Sequence, residues 1–258
     1  MRKPLIILTN DDGIKSDGLK VLYEAVEGLG DILIAAPDRQ RSGASHALSV
    51  IDEIRVKRLA FKDAEAYSVS GTPVDCAKLA LLKLAKRKPS LVLSGINHGP
   101  NIAQFILYSG TIGAAAEAAV LGIPAVAFSI DSYVPEEWEY GRGFVRKFVS
   151  ALLGKKIPLK RHSLINVNLP HLKPCGIRGI KVLPRGGVLY GEKYDMVSAK
   201  GGASKYRHII TDKKKSKKNR FDADGVENGY VTVTGLNFDL NDISFMRKLS
   251  KSRGLRVC

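Results

Sequence analysis

At 258 residues, with 45% hydrophobic and 26% charged composition, the chain suits one large α/β domain or a core with an appendage. No apolar stretch is long enough to cross a bilayer, and Met1-Arg2-Lys3-Pro4 enters a short strand without the apolar stretch and small-residue cleavage site of a secretory signal. The net charge of +16 is the outlier: it admits nucleic acid or anionic, phosphorylated small molecules as partners, and says nothing about fold.

In chain order, the apolar run Leu5-Ile6-Ile7-Leu8 predicts a first buried strand, followed by Asn10-Asp11-Asp12-Gly13. Ser16 or Asp17 caps a helix over Leu19–Val26, ended by Gly28 or Gly30. Ile32–Ala36 is a second strand stopped by Pro37, with a polar loop from Asp38 to His46, and Ile51–Arg58 alternates weakly as an edge strand. After a strand at Ala66–Ser70, Thr72 and Pro73 provide the N-cap and first position of a helix from about Val74 to Ala85. Leu91-Val92-Leu93 is a strand leading into a glycine-rich loop, Ser94 to Asn101. A helix at Ala114–Leu121, a strand at Ala125–Phe128, a helix at Glu136–Leu153 and a strand at Leu164–Asn168 complete the alternation.

That alternation predicts a doubly wound, Rossmann-like, mostly parallel sheet with right-handed crossovers over residues 1–170. Beyond Pro170 the strand-like pieces Ile177–Leu183, Lys205–Thr211 and Gly229–Thr234 and a last helix at Asp242–Leu249 read as a β-hairpin extension, 171–258, of one domain spanning 1–258. Such an arm often reaches a neighbouring subunit, so an oligomer is expected. The run Lys213–Arg220 lacks the interleaved aromatics that stack bases and reads as an exposed loop rather than a nucleic-acid contact. Cys76, Cys175 and Cys258, odd in number and far apart, suggest neither disulfides nor zinc, and a reduced cytoplasm is the expected home.

The polar loops follow predicted core strands, where open α/β sheets place their ligands. Adjacent Asp11 and Asp12 repel each other and need a cation to stay ionised, which points to a divalent metal with Ser42 and Asn97 as neutral oxygen ligands. A plain capping turn is the competing explanation of Asn-Asp-Asp-Gly. Ser109-Gly110-Thr111, just before a helix of small residues, would offer backbone N–H groups and two hydroxyls to a phosphate. It matches neither the P-loop nor the dinucleotide fingerprint. Thr72 reads chiefly as a cap, His46 and His98 as surface residues near the loops with a proton-shuttle alternative, Trp138 and Tyr140 as packing groups, and Cys76 as a small core residue.

Together these segments resemble the SurE family of stationary-phase survival proteins, which are metal-dependent nucleoside monophosphate phosphatases. The matching stretches are Leu8–Gly13, Ala36-Pro37 with Arg41-Ser42-Gly43, Ser70–Cys76, Ser94–Asn101 and Tyr108–Ala115, with Asp222 and Gly229–Thr234 later, in family order over nearly the whole chain. The resemblance implies one divalent ion per subunit, Mg2+ or Mn2+, on Asp11, Asp12, Ser42 and Asn97. It implies phosphate held by Asn101, Ser109, Gly110 and Thr111, with Asp11, Asn101 and Ser109 catalytic. It implies hydrolysis of nucleoside 5′- and 3′-monophosphates, with short polyphosphate a further substrate of some members, and dimers or tetramers that exchange carboxy-terminal segments. The family's usual Thr-Pro after the last strand reads Thr234-Gly235 here, and the lysine-rich run has no family counterpart. The expected chemistry is in-line attack by an activated water, with Asp11 orienting it or acting as base; an Asp11 nucleophile stays open. A basic nucleic-acid-binding protein and a phosphometabolite-binding module without turnover are the competing classes.

Overall fold

The computed structural model describes residues 3–135, 137–187, 190–213 and 220–252. The lysine-rich run, expected as a loop, falls mostly on residues 214–219, outside the described residues, as does Cys258.

The first three elements form where the apolar runs placed them. Strand β1 (Leu5–Thr9) is buried throughout, and helix α1 (Asp17–Val26) begins at Ser16, whose hydroxyl accepts from the Leu19 amide at 3.3 Å. Strand β2 (Asp31–Pro37) follows, and an edge strand, β3 (Val56–Phe61), antiparallel to β4 (Ala64–Val69), starts five residues after the expected Ile51 because its register is set by pairing with β4. Helix α2 (Pro73–Leu79) opens with a capping box between Thr72 and Asp75 and runs on as a π turn to Leu84. Thr72 is committed to this cap and to the Ala47 carbonyl (2.7 Å), as its capping explanation requires.

Strand β5 (Leu91–His98) departs from expectation, because the glycine-rich stretch Ser94–His98 is strand rather than loop. It pairs with β6 (Ala125–Ile130) through a register slip between Ser94 and Asn97. Gly95 lies at φ +134°, and a Cβ there would run into the Phe128 carbonyl. A bulge of this kind re-aims side chains at the end of a strand, and only glycine fits its tightest point. Helix α3 (Gly110–Val120) starts four residues before the expected Ala114 because Ser109 is its N-cap, accepting from the Ile112 amide at 3.1 Å. Helix α4 (Glu139–Leu153) and strand β7 (Ser163–Leu169) finish the alternating part.

The main sheet has nine strands in the order β3-β4-β2-β1-β5-β6-β7-β11-β8, with β4 through β7 parallel. Strands β11 (Val231–Asn237), antiparallel to β7, and β8 (Ile180–Val182), parallel to β11, extend it from beyond Pro170. Strands β9 (Tyr190–Lys200) and β10 (Ala203–Lys213) form a separate hairpin, followed by α5 (Asp222–Glu227) and, after β11, α6 (Ile243–Leu249).

Each central strand feeds two cores. Ile6, Leu8, Leu93 and Phe128 pack with Leu19 and Leu22 of α1 and Val145 and Phe148 of α4. Leu5, Ile7, Val92 and Ala125 pack on the other side with Cys76 of α2 and Ile112, Ala115 and Ala116 of α3. Both faces are covered, which is why the strands read as continuous apolar runs. Among the described residues no helix is long and apolar enough to cross a membrane.

Strand order fixes where a ligand goes. The chain builds outward from β1 through β2 to β4, then returns to β5 on the other side of β1. The crevice of such a sheet opens at that reversal, beyond the carboxyl ends of β1 and β5. Asp11 follows β1, and Asn97 lies near the end of β5.

Candidate functional site

A cavity of about 380 Å³ lies at that reversal, lined by Asp11, Ser42, Asn97, Asn101 and Ser109 among others. Thus the loops after β1, after β2, at the end of β5 and before α3 meet around one space. Asp12, Gly110 and Thr111 do not line it. Asp12 lies behind, its carboxylate accepting from the His98 amide (3.2 Å) and from the Gln40 side chain (3.3 Å), which also donates to the Ser42 hydroxyl (2.9 Å).

The tetrapeptide after β1 divides its labour. Asn10 is structural: its side chain binds the Gly13 carbonyl (3.0 Å), the Gly13 amide (3.2 Å) and the Ser16 hydroxyl (2.7 Å), closing the turn into α1. Gly13 sits at φ +98°, as such a turn demands. The turn explanation therefore holds for Asn10 and Gly13, which frees the two aspartates between them.

Asp11 is buried, with 4% exposure. Burial pushes its carboxyl up to about 6, against the opposing pull of the Thr111 hydroxyl and backbone amide, while Asp12 adds to the rise. Burial also raises Asp12, with the nearby His98 side chain acting the other way. Neither carboxylate has a Lys or Arg among the groups that act on it. Asn97 donates its side-chain nitrogen to the Gly99 carbonyl (2.7 Å), which leaves its oxygen as the end for a cation. Among the described residues no three His, Cys, Asp or Glu side chains cluster, so a bound ion would rest on two carboxylates and neutral oxygens. That donor set fits a hard divalent cation.

At the start of α3, Ser109 spends one oxygen lone pair on the cap, and its O–H stays available to donate. Thr111 behaves differently from expectation: its hydroxyl donates to Asp11 Oδ1, so it grips the carboxylate rather than facing the cavity. Gly110 is where helix and carboxylate touch. A Cβ there would lie 2.9 Å from the Asp11 Cβ and 3.0 Å from Pro73 Cγ, so any side chain would push Asp11 out of place.

Asn101 has the most elaborate support. Its amide donates to Asn168 Oδ1 (2.8 Å), its carbonyl accepts from Asn166 (2.8 Å) and Asn168 (3.1 Å), and its side-chain nitrogen donates to Ser129 (2.8 Å). One N–H of that side chain remains for a ligand. Asn166, Asn168 and Ser129 are wholly buried, and the sequence reading passed over them. The available signal was polar residues at alternate positions on a strand face that should be apolar.

Of the two histidines, His98 lines the cavity and His46 does not. His46 binds Glu117 (3.0 Å), whose carboxyl burial would raise but Lys78 and His46 together pull below its ordinary value. The His98 ring packs on Trp138, 5.5 Å between centroids, with Nε2 buried and without a partner. Trp138 and Tyr140 pack against the α1/α4 core, and Cys76 is buried in α2. Arg41 turns from the cavity to the Ser70 carbonyl (2.6 Å).

Residues 6–192 match the family model described as survival protein SurE. A protein of Christiangramia forsetii named 5′-nucleotidase SurE is 38% identical over 255 residues, covering 96% of each chain. A protein of the same name from Pelotomaculum thermopropionicum is 37% identical, covering 95% of this chain and 94% of its own. The crystal structure of SurE protein from Aquifex aeolicus superposes with a TM-score of 0.83 at 35% identity, covering 96% of this chain and 98% of that one. With matches running nearly end to end over the same strands that converge on the cavity, the chain belongs to the SurE family.

Proposed function

We propose that the chain is a metal-dependent phosphatase that hydrolyses nucleoside 5′-monophosphates, and 3′-monophosphates with them, to nucleoside and phosphate; the relatives named 5′-nucleotidase SurE support the 5′ activity. The observation that carries this reading is a pair of adjacent carboxylates, one of them buried, with no lysine or arginine among the groups acting on them, at the edge of a cavity of nucleotide size. Asp11, Asp12, Ser42 and Asn97 hold one divalent ion, Mg2+ or Mn2+. Bound there, the ion supplies a Lewis acid that offsets phosphoryl charge and acidifies water.

The rest is done by the chain. The Ser109 hydroxyl, the remaining side-chain N–H of Asn101 and the Gly110 amide in the first turn of α3 hold the phosphoryl oxygens, while the Thr111 amide and hydroxyl both serve Asp11. Thr111 fixes Asp11 Oδ1 and leaves Oδ2 to orient the attacking water and take its proton. The water adds to phosphorus in line as the bond to the ester oxygen breaks; that oxygen takes a proton from solvent and leaves as the nucleoside hydroxyl, and Asp11 returns its proton to solvent. Phosphate release from a panel of nucleoside monophosphates tests this. Turnover should fall to background in excess chelator and return on adding Mg2+ or Mn2+; release insensitive to chelator rejects the metal, and salt-sensitive RNA binding without release favours the nucleic-acid class.

The chain is further proposed to act as one unit, with 171–258 an extension of the 1–170 core; β8 and β11 continuing the core sheet support this. It associates as a homodimer or tetramer through exchanged carboxy-terminal segments. In support, α6 has no buried residue, yet carries Ile243, Phe245, Met246 and Leu249 beside Leu240, which is 93% exposed. Apolar surface of that extent seldom faces water in a monomer. Light scattering should give a mass of two or four chains, reduced by Phe245→Asp; a monomeric parent chain overturns the assignment. A reducing cytoplasm is its proposed location, in keeping with the free Cys76 and Cys175.

A further inference from the structure

The groups assigned to metal and phosphate occupy only part of the cavity. Its large apolar side chains are Phe105, Tyr108, Tyr133 and Ile210, drawn from three separate parts of the chain. Three of these are well exposed: Tyr133 at 75%, Tyr108 at 54% and Ile210 at 46%. Large apolar side chains gathered on the rim of a polar cleft mark the place where an apolar part of a ligand rests.

Tyr133 is not a loose surface ring. Its backbone sits in a turn held by Asp131 N–H to the Leu169 carbonyl (2.8 Å), Ser132 N–H to the Ile130 carbonyl (2.8 Å) and Val134 N–H to the Ser132 hydroxyl (3.2 Å). Its ring lies against Gly99, where a Cβ would come within 2.6 Å of Tyr133 Cε1. The glycine of the Asn97–Asn101 segment thereby seats the ring beside the phosphate-holding Asn101. Phe105 is fixed by its contact with Tyr190, 5.2 Å between centroids. Gln104 clamps the Tyr190 backbone from both sides, donating to its carbonyl (2.8 Å) and accepting from its amide (3.3 Å). That clamp anchors the root of the β9–β10 hairpin, whose second strand brings Ile210 to the same cavity.

We infer that Tyr133, with Phe105 and Ile210, forms the platform that receives the nucleobase of the substrate, by stacking rather than by hydrogen-bonded reading. The inference rests on the nucleotidase reading above and extends it to substrate class. Of the polar side chains not assigned to metal or phosphate, Gln40 is tied to Asp12 and Ser42 and the His98 ring is packed on Trp138. A π-face accepts every base, so such a wall serves purines and pyrimidines alike, with the larger purines favoured. The hairpin is then part of the substrate grip as well as a projecting arm.

The test compares Tyr133→Ala, Tyr133→Phe and Tyr133→Trp on adenosine 5′-monophosphate and on ribose 5-phosphate, which has the same phosphoester and no base. Stacking one base on an aromatic ring is worth roughly five- to a hundredfold in binding. Tyr133→Ala should therefore lower the ratio of kcat/KM for the nucleotide over that for the sugar phosphate about tenfold or more, through KM. Tyr133→Phe and Tyr133→Trp should keep the parent ratio. An equal fall on both substrates would show that Tyr133 only supports the Asn97–Asn101 segment, and an unmoved ratio would remove the base from this wall. Equilibrium binding of the same two compounds in chelator reads the same ratio without turnover. A chain that discriminates in binding and releases no phosphate would thus keep the platform and lose the phosphatase.

Discussion

Asp11→Asn is expected to cut turnover at saturating Mg2+ or Mn2+ by at least about a hundredfold, since half the charge that holds the ion is lost. The metal-free protein, in contrast, should be at least as stable as the parent. Asp11 is buried with no cation beside it, and burial lifts its carboxyl from 3.8 to about 6. The folded state therefore binds this proton more tightly than the unfolded chain does, and native stability falls as pH rises through the window from about 4 to 6. Above that window the ionised group costs on the order of 3 kcal/mol. Asparagine removes the charge and still offers an oxygen to the Thr111 hydroxyl. Urea unfolding in chelator should show the variant gaining on the parent between pH 5 and pH 7.5. Near-parental turnover, or a metal-free variant that is less stable at neutral pH, would contradict the role given to this carboxylate.

This carboxylate was legible in the sequence for a simple reason: it follows an uninterrupted apolar strand, and strand ends in a parallel sheet converge. Ser42 and Asn97 were legible on the same ground, Ser109 from the small-residue helix it precedes and Asn101 through the family resemblance, and all four line the cavity with Asp11. What the sequence hid were residues whose partners lie far along the chain. Asn166 and Asn168 sit inside a strand that reads as ordinary, and their purpose appears only when β7 comes to lie beside the Asn101 segment. Strand β9 escaped notice because its residues from Glu192 to Lys200 are exposed, so no alternation of buried and exposed positions is written into them. The stretch Ser94–His98 misled in the other direction: glycine and asparagine suggested a loop, and the sheet absorbed them as a bulge.

Helix α5 was also hidden, being six residues long with Gly225 inside it, yet it carries the residue with the largest expected structural effect. Asp222 is wholly buried and accepts from the Ala223 amide (2.8 Å), the Gly186 amide (3.0 Å) and the Ala103 amide (3.1 Å). Burial still raises its carboxyl above the ordinary value despite those donors. Ala103 opens the turn that runs from Asn101 to Ser109, so Asp222 ties the region beyond β8 to the phosphate end of the cavity. Asp222→Ala strands three buried N–H groups, each worth about 1–3 kcal/mol when left unpaired, and should destabilise the protein by roughly 3 kcal/mol or more. Asp222→Asn separates fold from function. Its one oxygen can serve Gly186 and Ala223, which both bind Oδ1, but its NH2 then meets the Ala103 amide donor to donor. Losing a buried charge offsets part of that conflict, so the urea midpoint should move less than in the alanine variant with an unchanged m-value. Turnover should nevertheless fall, because the turn carrying Asn101 and Ser109 loses its anchor at Ala103. An asparagine variant with full turnover would show that the cavity keeps its shape without this tie, and that Asp222 serves only the packing of α5.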